Sequence, residues 1–314
     1  MFTTHKKQLL AAFAERFKKQ NPGIKAVAGD LTDKKDLQDF FEHSQGAVLF
    51  HLAGLVHATK GVRQFFEVNV EGTKNLLDGA VKKGVKRVVA ISSNSPAGCN
   101  PHPDSVFTEE APYHPYMAYG RSKMQMELLL QGAQQKGLIE TVILRPCWFY
   151  GPGQPPRQTL FFSMIKDGKA PIVGDGENRR SMSYVDNVSQ ALMRAAQSAK
   201  ANGQTYWITD RKPYSMNEIV DTVERLLEKE FKMPAAHKRL RLPGFASEVA
   251  LVTDAALQAA GIYQQKIHVL SEMNKTIAAS IRKAQAELQY EPLIDLEEGM
   301  RRSIDWCLKQ GHKI

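Results

Sequence analysis

From Gly23 onward, short apolar runs alternate with longer amphipathic stretches. Four runs are compact and rich in Val, Ile or Leu: Ile24 to Ala28, Ala47 to Leu52, Val85 to Ile91 and Thr141 to Leu144. Continuous apolar runs of this length suit strands buried on both faces, as in a parallel sheet covered by helices. Helical spacing fills the intervals over Asp33 to His43, Phe65 to Lys83 and Tyr116 to Gln135, and Gly84 and Gly137 follow the last two as stops. After Gly151 the pattern loosens into Pro- and Gly-punctuated loops, Gln154-Pro155-Pro156 and Gly174-Asp175-Gly176. It resumes in helices over Ser215 to Lys229 and Leu296 to Gln310. The expected fold is α/β, with a parallel-sheet domain over residues 1–150 and a smaller α+β lobe over residues 151–314 that partly interleaves with it. An amphipathic surface helix is predicted from about Lys6 to Lys19.

In open parallel sheets, ligands bind beyond the carboxyl ends of the strands. Those ends read Gly29-Asp30-Leu31, His51-Leu52-Ala53-Gly54, Ile91-Ser92-Ser93 and Arg145-Pro146, each an abrupt switch from apolar strand to small or polar residues. Chemistry is therefore sought there.

Composition narrows the classes. A chain of 314 residues with 43% hydrophobic and 24% charged positions is ordinary globular protein, which excludes disordered, fibrous and repeat architectures. The formal charge of +9 would favour an anionic partner. The basic residues are scattered as pairs such as Lys82-Lys83 and Arg301-Arg302, with no stripe interleaved with aromatics, so no nucleic-acid partner is expected. Cys99, Cys147 and Cys307 lie far apart, which argues against a disulfide framework or zinc site and fits a cytoplasmic location. The apolar run Leu9 to Ala14 is broken by Glu15 and Arg16, too short for a signal segment, and no stretch approaches a membrane span. No membrane partner is expected. Nine histidines show no metal-ligand spacing; His51 and His57 read as structural, and Met117, Met124 and Met126 as core fillers.

One pair stands out chemically. Tyr119 and Lys123 are spaced i, i+4 in a predicted helix, so both side chains share a face. Free tyrosine ionises near pH 10, and an adjacent ammonium stabilises the phenolate, which makes the phenol a usable proton donor and acceptor. Such pairs also occur on plain helix surfaces, so the setting has to carry the weight.

Eight segments supply that setting, in order along the chain: Gly29-Asp30-Leu31-Thr32-Asp33, His51-Leu52-Ala53-Gly54, Asn69-Val70-Glu71-Gly72-Thr73, Ser92-Ser93 with Gly98, Tyr119-Gly120-Arg121-Ser122-Lys123, Arg145-Pro146 with Tyr150-Gly151-Pro152-Gly153, Tyr184-Val185-Asp186-Asn187, and a tail of Lys283-Ala284, Leu288-Gln289-Tyr290-Glu291-Pro292 and Glu298-Gly299. In register, they resemble the extended short-chain dehydrogenase/reductase superfamily, the NAD-dependent epimerase/dehydratase group. The resemblance implies a Rossmann-like doubly wound sheet and NAD or NADP as cofactor. It assigns Tyr119 as general acid/base, Lys123 as the residue that lowers the Tyr119 pKa and holds the nicotinamide ribose, and Ser93, five positions before Gly98, as the group that orients the substrate oxygen. Ser92 and Ser95 are fallback candidates, and loop capping is the plain alternative for all three. Asn69 matches the asparagine that supports the active-site architecture. Asp30 and Leu31 match the adenine contact, Leu52, Ala53 and Gly54 a close backbone approach to the cofactor, and Pro146 the segment lining the nicotinamide amide.

By this resemblance, the expected activity is oxidoreduction of a secondary alcohol or ketone. The texture of Gly174-Asp175-Gly176-Glu177-Asn178 and Tyr184-Val185-Asp186-Asn187 is nearest the 3β-hydroxysteroid dehydrogenase and dihydroflavonol reductase branches. A nucleotide-sugar epimerase or dehydratase is the alternative, with Arg179 and Arg180 meeting a diphosphate. A small-molecule substrate follows in either case, and the resemblance admits a homodimer. One part of the pattern has no counterpart: no glycine precedes Gly23, so the family's opening strand, glycine-rich turn and helix are missing and the sheet is expected to be incomplete at its N-terminal side. This points to a shortened start, and it motivates a third reading, a silent interaction protein without cofactor. The strand Ile24 to Ala28 is expected to pair directly with Ala47 to Leu52 and so draw Asp30 from its adenine-contacting place.

Overall fold

The computed structural model describes residue 21 and residues 23–314. The predicted helix from Lys6 to Lys19 lies outside them. In chain order the elements are α1 (Asp36–Phe40), β1 (Val48–His51), α2 (Arg63–Phe66), α3 (Gly72–Lys82), β2 (Arg87–Ile91), α4 (Met117–Gln135), β3 (Glu140–Pro146), β4 (Trp148–Tyr150), α5 (Pro156–Lys166), β5 (Pro171–Val173), β6 (Arg179–Arg180), β7 (Met182–Tyr184), α6 (Val185–Gln197), β8 (Thr205–Ile208), β9 (Tyr214–Ser215), α7 (Met216–Lys229), β10 (Leu240–Leu242), α8 (Phe245–Ala259), α9 (Gln265–Glu272), α10 (Arg282–Leu288) and α11 (Leu296–Lys309). A π turn over Glu67–Glu71 joins α2 to α3.

Four strands form the central parallel sheet in the order β1-β2-β3-β8. Successive side chains point to opposite faces of a strand. Val88, Ala90 and Ile143 accordingly meet Leu76, Leu77 and Ala80 of α3 and Met126 and Leu130 of α4. Val89, Val142, Leu144 and Tyr206 meet Val188, Ala191 and Ala195 of α6 and Ala284 and Leu288 of α10 on the other face. Both faces of β2 and β3 are covered, which is why those strands read as apolar runs, while β1 keeps Phe50 exposed at the edge. A further cluster, with Phe162, Ile165, Ile172, Ile219, Val223, Met300 and Ile304, forms the core among α5, α7 and α11.

The expected strand Ile24 to Ala28 is absent, and among the described residues β1 pairs with β2 alone. The reason lies in what the following residues grip. Leu31 sits over Gly72, where a Cβ would come within 2.8 Å of it, and the Phe41 ring lies over Gly79. Asn75 donates to the carbonyls of Leu31 and Thr32. These contacts hold residues 31–41 on the helix layer, leaving Ile24 and Val27 exposed. A groove of about 380 Å³, lined by Phe40, His43, Val48 and Phe50 among others, lies along the β1 edge. The predicted helix Asp33 to His43 shrinks to the five residues of α1.

Two buried polar hubs tie the layers together. In the first, Arg145 of β3 grips Glu127 of α4 with two hydrogen bonds, Nε to Oε1 at 3.0 Å and an Nη to Oε2 at 2.6 Å. Both side chains are almost fully buried. Tyr113 donates to the same carboxylate at 2.7 Å, and the guanidinium stacks over the rings of Tyr113 and Trp207. In the second, Asp210 accepts from Tyr150 Oη at 2.6 Å, Asn187 Nδ2 at 3.2 Å and the Tyr184 amide at 3.3 Å. Asn187 Oδ1 in turn accepts from the amides of Leu293 and Ile294. Gly299 lets α11 lie on the Tyr150 ring, since a Cβ there would be 2.4 Å from it. The segments Tyr150-Gly151, Tyr184 to Asn187 and Leu293 to Gly299 thus meet in one seam.

Burial pushes the Asp210 carboxyl up to about 7, against its hydrogen bonds. A carboxyl raised above its unfolded value favours folding while protonated, so its contribution is full below about pH 4 and is lost as pH rises through 7. Asp210→Asn cannot ionise. Chemical denaturation from pH 4 to 7 should therefore show the variant gaining stability relative to the parent as pH rises; a constant difference would refute the assignment. For the ion pair, removing one partner strands a buried charge at a cost of about 3–5 kcal/mol. Glu127→Leu and Arg145→Met should each show this loss in urea unfolding, and the double variant should lose less than the sum of the two.

Candidate active site

Helix α4 opens abruptly. Tyr116 is extended and Met117 takes φ 53°, a left-handed conformation that costs a side-chain-bearing residue about 1–3 kcal/mol. Tyr119 follows within the first turn, and its ring lies 5.8 Å from that of Phe65. One turn on, Lys123 is only 4% exposed. Its ammonium donates to the carbonyl of Ile91, the last residue of β2, at 2.8 Å and lies 3.1 Å from Met126 Sδ. Burial pulls its pKa down to about 8, opposed by the charge of Glu127. The Glu127 carboxylate is itself held by Arg145.

The loop after β2 reaches this helix directly. The carbonyl of Ser95 accepts from the Tyr116 amide at 2.9 Å, and a Cβ on Gly120 would stand 2.5 Å from that carbonyl. Only glycine at position 120 allows the approach. Ser93 is 8% exposed, and its hydroxyl lies 3.3 Å from that of Ser95 and accepts from the Ser95 amide. The buried Ser92 hydroxyl has no hydrogen bond among the described residues.

Asn69 sits in the π turn and is 1% exposed. π turns insert one extra residue and recur at functional sites. Here the turn aims the amide inward. Its Oδ1 accepts from the Leu55 amide at 2.7 Å, while Nδ2 donates to the Leu55 carbonyl and to Ser122 Oγ of α4, both at 3.0 Å. Asn69 therefore fastens the loop after β1 to α4. Within that loop Leu52, Ala53 and Gly54 are exposed, and a Cβ on Gly54 would lie 3.3 Å from Asn69 Oδ1 and 3.8 Å from Lys123 Nζ. Pro146 is buried at the end of β3, beside Ile208.

Asn69, Gly54, Lys123, Tyr119 and the Ser93 loop thus converge at the carboxyl ends of β1 and β2. Asp30 and Leu31 stand apart, joined to this group through α3. The Asp30 carboxylate closes its own turn, accepting from the amide and hydroxyl of Thr32 at 3.0 and 2.8 Å. His51 lies inside the fold: its Nε2 lies 2.8 Å from Thr73 Oγ1, which donates to the Asn69 carbonyl, and burial pushes its pKa down to about 3. His57 meets the Tyr263 hydroxyl at 2.6 Å. Arg179 is turned away from a ligand role, with its guanidinium on the carbonyls of Pro103 and Ser105. Sequence reasoning missed Glu127 and named Gly120 without a role. The signal was available: Glu127 continues the i, i+4 ladder of Tyr119 and Lys123, and Gly120 stands inside the same motif. Among the described residues no cluster of His, Cys, Asp or Glu suits a metal, and no helix is long and apolar enough to cross a membrane.

The chain is 51% identical over 293 residues to the uncharacterized protein y4nL of Sinorhizobium fredii, covering 93% of this chain and 82% of that one. It is 30% identical over 303 residues to 3beta-hydroxysteroid-dehydrogenase/decarboxylase isoform 1 of Arabidopsis thaliana, covering 90% of this chain and 66% of that longer protein. In fold it is similar to a double mutant of DesIV, a dTDP-glucose 4,6-dehydratase of Streptomyces venezuelae solved with NAD bound, with a TM-score of 0.72 at 23% identity over 93% of this chain and 82% of that one. A model of the NAD dependent epimerase/dehydratase family matches residues 4–209, and the chain belongs to that family.

Proposed function

We propose that the chain carries the site of a nicotinamide-dependent oxidoreductase acting on a secondary alcohol or ketone, with Tyr119 as proton donor and acceptor. The observation that carries this reading is the Lys123 ammonium. A buried charge is costly unless paired, yet among the described residues no carboxylate lies within ion-pair distance of Lys123. Its hydrogen bonds go to a carbonyl and a sulfur, one helical turn from a phenol and beneath a glycine. Such a group suits a task at the site better than a task in the core.

The residues fit the nicotinamide end of a dinucleotide. Gly54 has no side chain to screen the ammonium, and Leu52 and Ala53 continue the exposed rim. Lys123 and Tyr119 would hold the ribose, Leu52 to Gly54 and Pro146 would line the cofactor, and Asp30 and Leu31 would meet the adenine. Bound NAD or NADP would supply the hydride acceptor or donor. Tyr119 then exchanges the proton of the substrate oxygen, Lys123 favours the phenolate by its charge, Ser93 orients that oxygen, and Asn69 keeps the loop and helix in register. Residues 1–150 would carry the cofactor and residues 151–314 mainly the substrate. The similarity to a steroid dehydrogenase/decarboxylase over 90% of this chain supports an apolar cyclic alcohol as substrate.

A nucleotide-sugar substrate is the second reading. Arg180 favours it: its Nε is buried with no hydrogen bond among the described residues, and its charge acts on the thiols of Cys99 and Cys147 beside Pro146.

The test follows reduction of NAD or NADP by absorbance with 3β-hydroxysteroids in one panel and, because an epimerase or dehydratase returns the hydride and leaves no net reduced cofactor, conversion of nucleotide sugars by chromatography in the other. Tyr119→Phe should lose about 10²–10⁴-fold in turnover with little change in stability. Retained turnover would remove Tyr119 from the acid–base role. Lys123→Met should lower both turnover and dinucleotide affinity, and unchanged affinity would confine Lys123 to its action on the phenol. Protein free of nicotinamide by mass spectrometry and inactive in both panels would favour a cofactor-free interaction role.

A further inference from the structure

We propose that Gln258 is a positioning residue for Tyr119, held in one amide orientation by Asp254 and His268. The proposal rests on the acid–base reading of Tyr119. The first N–H groups of a helix have no partner within it. At the start of α4, the Ala118 amide finds one 140 residues away, donating to Gln258 Oε1 of α8 at 3.0 Å. Ala118 immediately precedes Tyr119 and follows the left-handed Met117.

The polarity of the cluster permits one arrangement. An amide N–H only donates, so Gln258 must turn its oxygen to Ala118. Its nitrogen then faces Asp254 and donates to both carboxylate oxygens at 2.9 Å. Asp254 also meets His268 Nδ1 of α9 at 2.7 Å. Asp254, Gln258 and His268 are 0%, 5% and 6% exposed. Ser271 donates to the His268 carbonyl and meets the Tyr116 hydroxyl, both at 2.7 Å. The α8–α9 hairpin therefore pins α4 on both sides of Met117. Its turn also docks beside α2, where the Val62 amide donates to the Gly261 carbonyl and Phe65 lies between the rings of Tyr119 and Tyr263.

Apolar side chains could fill this space without desolvating a carboxylate, an amide and an imidazole. What they could not do is bind the Ala118 amide, the atom that this relay holds on α4. A shift of α4 at Ala118 moves the Tyr119 phenol relative to Lys123, and misplacement by about 1 Å can cost a hundredfold in rate.

The test reads the phenol rather than turnover. Tyrosinate absorbance is titrated in the parent and in Tyr119→Phe, and the difference isolates Tyr119. Gln258→Met keeps the side-chain length and deletes the acceptor. It should raise the Tyr119 midpoint by about one unit, because the phenolate loses its placement near the ammonium. Asp254→Asn, which frees the amide to turn round, should act in the same direction. Ser247→Ala is the control: Ser247 is fully buried in the same hairpin and bonds the Leu270 carbonyl, so its loss should lower Tm and leave the midpoint in place. An unmoved midpoint in folded Gln258→Met and Asp254→Asn would overturn the proposal, as would an equal shift in Ser247→Ala. A parent midpoint near 10, together with a turnover-competent Tyr119→Phe, would instead overturn the acid–base reading and this proposal with it.

Discussion

The buried pair of Glu127 and Arg145 fixes the site because it is the point where α4 is locked to the sheet. Two hydrogen bonds between planar groups set both the height and the rotation of the helix over β3. Tyr119, Lys123 and Glu127 lie at successive i, i+4 positions, so rotation fixed at Glu127 is rotation fixed for the phenol and the ammonium. The same guanidinium precedes Pro146 in the strand, which ties the place of Pro146 to that of Lys123. Moving either residue would disturb both.

Rotation alone leaves the ends of α4 free to slide, and two side-chain amides remove that freedom. Asn69 reaches Ser122 from the π turn, and Gln258 reaches Ala118 from the hairpin. Each amide spends its oxygen and its nitrogen in different directions, so neither can reverse without losing a bond. Gly120 adds a steric stop, since the Ser95 carbonyl already occupies the space of its missing Cβ. Tyr119 is thus fixed by contacts drawn from α2, the π turn, the loop after β2 and the α8–α9 hairpin.

The strands β2 and β3 were legible because burial on both faces keeps their central positions apolar, β1 shares that pattern over Val48 to Phe50, and the carboxyl ends stood out where polarity returns. Tyr119, Lys123, Asn69 and Gly54 were legible as a motif. The run Ile24 to Ala28 looked like a strand for the same reason, but its apolar residues do not meet a ladder; Leu31 and Phe41, just beyond it, are captured by Gly72 and Gly79. A glycine that serves as a socket for a distant ring is invisible to periodicity. The Asp254–Gln258–His268 cluster was hidden for a related reason. Its members are spread over α8 and α9, where Val249, Val252 and Val269 face solvent while Asp254, Gln258 and His268 face inward, an inversion that only the fold reveals.

The contrast between Lys123 and Arg145 separates structure from chemistry at this site. Both cations are buried on or beside α4. Arg145 is met by a carboxylate in both hydrogen bonds and by two aromatic faces, the environment of a charge that must never change. Lys123 is met by a carbonyl and a thioether, and its pKa falls to about 8. Had a carboxylate paired with Lys123, the ammonium would be more stable and less able to act on a neighbouring phenol. The Glu127 carboxylate is taken up by Arg145 and Tyr113, and its charge raises the Lys123 pKa only against the larger effect of burial. The ion pair that anchors the helix therefore leaves Lys123 without a carboxylate of its own, the environment that the proposed action on Tyr119 requires.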